Sequence, residues 1–338
     1  MAVTQADTDE RAGPAAGERR GSFRRFLAWL LLPSVMLYLL VFALVLVPAV
    51  RFERWGPTKW GPVLQFAFDA NQNADVLVFG DSSAFLGLDP RVVEAELHAT
   101  AVVLPNTIGS LPITGEMALR RYLARNRPPR LLVLYFTAWD LNYGKTANTR
   151  VFFEGEEMLL HNGSAAEILV FVRQHPLEFL AFPFRFNSTL GTHLLGTFLR
   201  HEDRERQTAE ALGHVDYTEP YPVLRAPCAL PEALVTENGE DSLRSLVERY
   251  STMGTKVVVY LAPIPGCAGA EAIRAAATAR ERTPPVILPA EMFASDGLFA
   301  HPEPGAVRTT SELFAEFLRG RMPAGAEAGA ARPVVPKS

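Results

Sequence analysis

Five short apolar runs, each closed by turn residues, constrain this chain most. They are Asp75–Gly80 (DVLVFG), Ala101–Leu104 (AVVL), Leu131–Thr137 (LLVLYFT), Lys256–Ala262 (KVVVYLA) and the shortest, Val286–Leu288 (VIL). None of them alternates cleanly between polar and apolar. A strand that is apolar on both faces has to be covered on both faces, which is the condition of a parallel sheet between helices. Helical patterns separate the runs. Pro90–Leu97 has Asp89 as its N-cap and Pro90 at its first position. Leu111–Arg125 follows the second run. Gly239–Met253 sets Leu243, Leu246, Val247 and Tyr250 at i, i+3, i+4, i+7. Ala270–Arg280 precedes the fifth run, and Thr310–Arg319 closes the pattern with Leu313, Phe314 and Phe317 on one face. The alternation predicts an α/β domain over residues 60–320, with three α/β/α layers around a parallel five-stranded sheet. In such sheets, sites form beyond the carboxyl ends of the strands.

Phe26–Val50 holds no charged residue. As a helix it is roughly 37 Å long, against about 30 Å for the apolar core of a bilayer. Arg19, Arg20, Arg24 and Arg25 precede it, and Trp55 and Trp60 follow at a depth suited to an aromatic belt. Residues 26–50 therefore read as one transmembrane signal anchor. The polar residues 1–25 form a disordered cytoplasmic tail, and everything later lies outside the inner membrane, in the periplasm. A cleaved signal peptide with Val47 and Ala49 at its end is the other reading, although the run exceeds the usual 7–15 residues of a signal. Outside the cell membrane Cys228 and Cys267 meet an oxidising environment, where they either pair or stay as two unrelated buried thiols. Residues 321–338, rich in Ala, Gly and Pro, read as a second disordered tail.

Lys+Arg 33 against Asp+Glu 37 gives a net charge of -4, which excludes a basic nucleic-acid surface as the main theme. The chain has no P-loop, no dinucleotide fingerprint and no His/Cys cluster with metal spacing, so neither cofactor nor metal is expected. Residues 143–235 break the strand–helix alternation and are rich in phenylalanine. This insertion reads as a cap packed on the domain, with Ala165–Val172 and Leu190–Leu199 as helices. The alternative is a lid or a segment that meets a membrane surface or a partner.

The chemistry-bearing motif follows the first strand directly: Gly80-Asp81-Ser82-Ser83. A serine on a tight turn at a sheet edge has the rigid placement a nucleophile needs, and its own N–H can meet a carbonyl oxygen. Gly80 suits a sharp turn or a close approach by a neighbouring chain. Asp81 suits hydrogen bonds to loop N–H groups. His301, in the loop before the last helix, is the candidate base. Asn106 and Gly109 after the second strand, and Asn142 after the third, are candidate oxyanion donors. Taken singly, each of these residues also fits a plain turn, cap or surface position.

Together, the order Gly-Asp-Ser after strand one, Asn and Gly after strand two, a polar loop after strand three and a late His resembles the SGNH/GDSL hydrolase superfamily. The likeness covers roughly residues 74–142 and 239–319. It is nearest to membrane-anchored extracytoplasmic members, such as the alginate O-acetylation proteins and the D-alanyl-transfer protein of teichoic acid synthesis. The resemblance implies a flavodoxin-like fold, Ser82 as nucleophile, His301 as its base, and an oxyanion hole from Ser82, Gly109 and one asparagine. It implies an esterase or O-acyltransferase acting on envelope carbohydrate, served by a membrane-bound acyl-donor protein. Two positions depart from the family pattern. Leu298 stands three residues before the histidine, where the family usually has an aspartate, and Asp296 stands five before. The usual Gly-x-Asn-Asp after strand three is absent. Those departures leave a second expectation open, that of a catalytically inactive partner or glycan-binding module.

Overall fold

The computed structural model describes residues 69–105, 116–139, 163–181, 211–214, 222–230, 240–297 and 299–323, with short pieces at 25–26, 29, 31–40, 66–67, 155–156 and 159. The core is a parallel sheet of β1 (Val76–Gly80), β2 (Ala101–Pro105), β3 (Leu131–Phe136) and β4 (Lys256–Leu261), in the spatial order β2-β1-β3-β4. The named helices among the described residues are α1 (Ser82–Gly87), α2 (Pro90–Leu97), α3 (Met117–Arg125), α4 (Ala165–Gln174), α5 (Glu240–Ser251), α6 (Ala270–Ala279) and α7 (Val307–Arg319), with further helical turns at 31–40 and 176–181.

The continuous apolar runs serve both faces of the sheet. Leu77, Phe79, Val102, Leu104, Leu132, Leu134 and Phe136 pack with Leu119 and Tyr122 of α3 and with Leu243 and Tyr250 of α5. Val76, Val78, Val103, Leu131, Val133 and Tyr135 pack with Val93 of α2 and with Phe314 and Leu318 of α7. Three layers result, because every residue of the central strands β1 and β3 is buried whichever way its side chain points, while β4 is exposed at Lys256 and half-buried at Val257, Val258 and Val259. Gly80 is opposite both Pro105 and Tyr135. A Cβ there would lie 2.0 Å from the Tyr135 carbonyl oxygen, so this glycine serves close approach rather than an unusual turn.

The fifth strand is a correction. Ile287–Leu288 (β6) does not join the main sheet, which has four strands among the described residues. It pairs in parallel with Ile264–Pro265 (β5) in a separate two-stranded sheet. The Ile264 N–H donates to the Val286 carbonyl at 2.9 Å, and the Gly266 N–H donates to the Leu288 carbonyl at 2.7 Å. Pro265 between them has no N–H, so the other side of β5 cannot carry a ladder.

Helix caps follow local chemistry. The Asp89 side chain accepts from the Arg91 N–H, with Pro90 at the helix start. Burial pushes the Asp89 carboxyl up, and hydrogen bonds from the Arg91 side chain and backbone outweigh it, holding the carboxyl below its usual range. Helix α7 begins three residues earlier than Thr310. Its buried stripe is Thr310, Ser311, Phe314, Ala315 and Leu318, with Leu313 and Phe317 half-buried at the margin. The two polar members are tolerated because they are bonded: Ser311 Oγ donates to the Val307 carbonyl and accepts from the Asp89 N–H. Arg321 and Met322, assigned to the tail from sequence, still pack on the domain, Arg321 over the Phe317 ring.

The described parts of the insertion lie on the domain. Ser164 and Glu167 form a reciprocal cap at the start of α4, and Glu167 pairs with Arg120 and Arg121 of α3. Residues 211–214 cover the edge of β2, where the Val103 N–H donates to the Leu212 carbonyl at 3.1 Å. Leu190–Leu199 lies outside the described residues. Within the expected membrane span, residues 31–40 are helical. No helix among the described residues is long and apolar enough to cross a membrane, and residues 41–50 lie outside them.

Candidate active site

The strand order reverses direction at β1, and the crevice beyond the ends of β1 and β3 is where ligands meet doubly wound sheets. Asp81 leaves β1 there and is fully buried. Its Oδ1 accepts from the Ser83 N–H at 2.7 Å and from the Ser83 hydroxyl. Its Oδ2 accepts from the Thr137 N–H at 2.7 Å and the Thr137 hydroxyl at 3.2 Å. Both carboxylate oxygens are thus engaged in tying the start of α1 to the end of β3. Asp81 is a clamp, and Ser83 belongs to it.

Ser82 is the first residue of α1, so its N–H has no intrahelical acceptor. Its hydroxyl points away from the clamp. Ser82 Oγ lies 2.8 Å from His301 Nε2, and His301 Nδ1 is hydrogen-bonded to Asp296 Oδ2. A proton on Nδ1, held by the carboxylate, leaves Nε2 as acceptor for the serine proton. Ser82 and His301 are 7% and 3% exposed. In so dry a place charge interactions are stronger than in water.

Asp296 reaches His301 from five residues away because both sit on one closed loop. Phe293 and Pro302 form an antiparallel bridge, and the Ala294 N–H donates to the His301 carbonyl at 2.9 Å. Between these stems, Gly297 (φ 77) and Phe299 (φ 56) take left-handed conformations that fold the tip back. For phenylalanine that conformation costs about 1–2 kcal/mol. Phe299 is half-buried against the cluster of Trp139, Ile264, Ile273 and Phe293. The strain sits where the loop must turn the carboxylate toward the imidazole.

The position of His301 owes nothing to a fifth sheet strand. Pro302 packs on Gly87 at the end of α1, close enough that a Cβ on Gly87 would lie 3.0 Å from Pro302 Cγ. Thr310 of α7 donates to the Gly87 carbonyl, and Ser311 holds the Asp89 N–H. The histidine loop is therefore docked onto α1 directly.

Cys228 and Cys267 are joined in a disulfide. The strap at 222–230 runs beside the segment before Asp296: the Leu224 N–H donates to the Phe293 carbonyl at 2.8 Å, and the Ser295 N–H to the Pro222 carbonyl at 2.6 Å. The bridge closes a sequence separation of 39 residues. Replacing both cysteines with serine is expected to lower unfolding free energy by about 4 kcal/mol, read by denaturant titration without reductant.

Tyr135 lies under the clamp. Burial first, then the neighbouring Tyr260 and Asp81, push its phenol well above the ordinary range, so it stays neutral and is no rival base. Residues that sequence reasoning missed are Thr137, Ser83 as part of the clamp, and Phe299. Thr137 carried a usable signal, since it ends the strand beside β1. Buried His214, also unremarked, contacts the Phe85 carbonyl at 3.1 Å through Nδ1. Asn106, Gly109 and Asn142 lie outside the described residues. No group of metal-ligating side chains is assembled among the described residues. The chain matches no protein-family model, no curated protein and no solved structure.

Proposed function

We propose that this chain is a membrane-anchored, extracytoplasmic serine esterase or O-acyltransferase of SGNH type, acting on acyl groups of envelope carbohydrate. The observation that carries the reading is the relay of buried Ser82 and His301 with half-buried Asp296 at the end of β1. The sheet order β2-β1-β3-β4, which is that of flavodoxin-like folds, supports the fold assignment. The uncharged run 26–50 supports the anchor and a periplasmic domain.

In this mechanism Ser82 Oγ attacks the acyl carbonyl carbon as His301 Nε2 takes its proton. The tetrahedral oxyanion meets the Ser82 N–H, with Gly109 and Asn142 or Asn106 as the other proposed donors. The C–O bond to the donor breaks, and the imidazolium returns its proton to the departing oxygen. A sugar hydroxyl or water then attacks the acyl-enzyme carbonyl, giving its proton to Nε2; the acyl C–Oγ bond breaks and the imidazolium passes that proton to Ser82 Oγ, restoring the free enzyme. A membrane-bound acyl-donor protein fits a domain tethered beside the bilayer.

The slight exposure of Ser82 also suits a non-catalytic partner or glycan-binding module. A nucleophile at the floor of a narrow site has the same exposure, and a carboxylate aligned on a buried histidine that in turn meets a serine hydroxyl is the arrangement of a proton-transfer site. Treatment of the full chain with a fluorophosphonate, followed by peptide mass analysis, is expected to place one adduct on Ser82. An unlabelled folded protein, or an adduct elsewhere, sinks the enzyme reading.

A further inference from the structure

The segment that runs into Asp296 has a neighbour on each side. On its inner side the Ala294 N–H donates to the His301 carbonyl, and Phe293 pairs with Pro302. On its outer side Val223 pairs antiparallel with Ala294. There the Leu224 N–H donates to the Phe293 carbonyl, and the Ser295 N–H donates to the Pro222 carbonyl. Residues 222–224 of the strap are thus the outer strand of a miniature three-stranded sheet. Its middle strand, 293–295, leads directly to the carboxylate, and its inner strand carries the imidazole.

The strap holds that place through its far end. From 222 to 227 only Leu224 is buried, in the cluster beneath Phe293. Beyond them Cys228 is bonded to Cys267. The Cys228 carbonyl accepts from the Ala268 N–H at 2.9 Å, and the Leu230 N–H donates to the Ala268 carbonyl at 2.9 Å. Cys267 follows β5, β5 pairs with β6, and β6 leads through the 3-10 turn Ala290–Met292 to Phe293. The disulfide therefore closes a ring: bridge, β5, β6, the strand before Asp296, and the strap back to the bridge. A short outer strand of mostly exposed residues is marginal by itself. The covalent tie is what fixes its register. Cys228 is half-buried, so a small thiolate can reach its sulfur.

We propose that residues 222–224 are a positioning element for Asp296 and that the Cys228–Cys267 bridge switches it. Oxidised, the bridge keeps the carboxylate on His301; reduced by a dithiol, it lets the carboxylate go. In the reduction a dithiol thiolate attacks Cys228 Sγ, the S–S bond breaks, and Cys267 leaves as a thiolate and takes a proton. The second thiol of the reductant then attacks the mixed disulfide, which frees Cys228 as a thiol and leaves the reductant as a cyclic disulfide. Two electrons pass from the dithiol to the bridge. Without the bridge the strap leaves the outer edge of 293–295, and the loop tip loses its fixed distance to His301 Nδ1. A misplacement of about 1 Å at a catalytic group lowers a rate by about 100-fold. The kinetic consequence rests on the serine-enzyme reading above, whereas the loss of the Asp296–His301 bond does not.

The full chain in detergent micelles, oxidised or reduced with dithiothreitol, tests this through two readouts. The first is the nitrogen NMR shifts of the His301 ring, assigned by their absence in His301→Ala. The expected result is one tautomer, protonated at Nδ1, in the oxidised protein and a mixture of tautomers after reduction. The second is hydrolysis of an aryl acetate. Reduction is expected to lower kcat by about 100-fold with KM unchanged. Asp296→Asn is expected to fall by less than about twofold on reduction, because the alignment at stake is already gone. Joining the two reduced thiols through a methylene group is expected to restore both readouts and to abolish the response to dithiothreitol. A single tautomer that persists in fully reduced, folded protein overturns the proposal. So does an equal fall in Asp296→Asn, which would make the strap a general support. Global unfolding on reduction, read by circular dichroism, also overturns it, because the bridge then holds the whole domain. Oxidised protein without esterase activity ends the enzyme reading, and the tautomer alone then decides the role of the strap.

Discussion

Ser82→Ala is expected to reduce esterase activity toward an activated aryl acetate by about 10⁶-fold, to the level the remaining donors and binding contacts supply. The size follows from what is removed. Without the Ser82 oxygen no acyl-enzyme forms, and His301 and Asp296 have no proton to move. The fold should not pay for the change. The hydroxyl's partner is His301 Nε2, and the start of α1 is held by Asp81, Ser83 and Thr137 instead. Unchanged thermal unfolding with lost activity therefore identifies a chemical role. Retention of more than roughly one part in a hundred of the wild-type rate would place the nucleophile elsewhere and end the mechanism proposed above.

Asp296→Asn is the second large effect, expected at about 10⁴-fold in kcat with little change in KM. The reason is tautomeric. The carboxylate accepts from His301 Nδ1 and so leaves Nε2 free to accept from Ser82. An amide that presents its NH₂ group to Nδ1 moves the imidazole proton to Nε2, and that nitrogen then donates where it must accept. The substitution preserves shape, so the loop closed by Phe293 and Pro302 should persist. A fall confined to KM, or no fall at all, would mean that Asp296 only supports the loop. That outcome would return the site to a Ser-His dyad, the arrangement that the family spacing by itself suggests for a chain with Leu298 three residues before the histidine.

The elements legible in the sequence are those with local causes. Asp89 and Pro90 start α2 because a side-chain acceptor and a missing N–H fit the first turn of a helix. β1 to β4 are legible because runs apolar on both faces demand cover on both faces. Ser82 is legible as a candidate because it stands at the first strand's carboxyl end, where any parallel sheet exposes its loops. What needed the tertiary structure depends on partners distant in the chain. Whether Val286–Leu288 joins the main sheet depends on Pro265, some twenty residues away, and three apolar residues carry no mark of their partner. The pairing of Cys228 with Cys267 depends on the strap lying beside the histidine loop. The clamp on Asp81 depends on Thr137, brought close by the β1–β3 register. Most of all, the reach of Asp296 to His301 is a property of loop closure. Spacing along a chain decides what meets only where the backbone follows a regular period. Between Phe293 and Pro302 it follows none, and two left-handed residues with one backbone bridge set the distance instead.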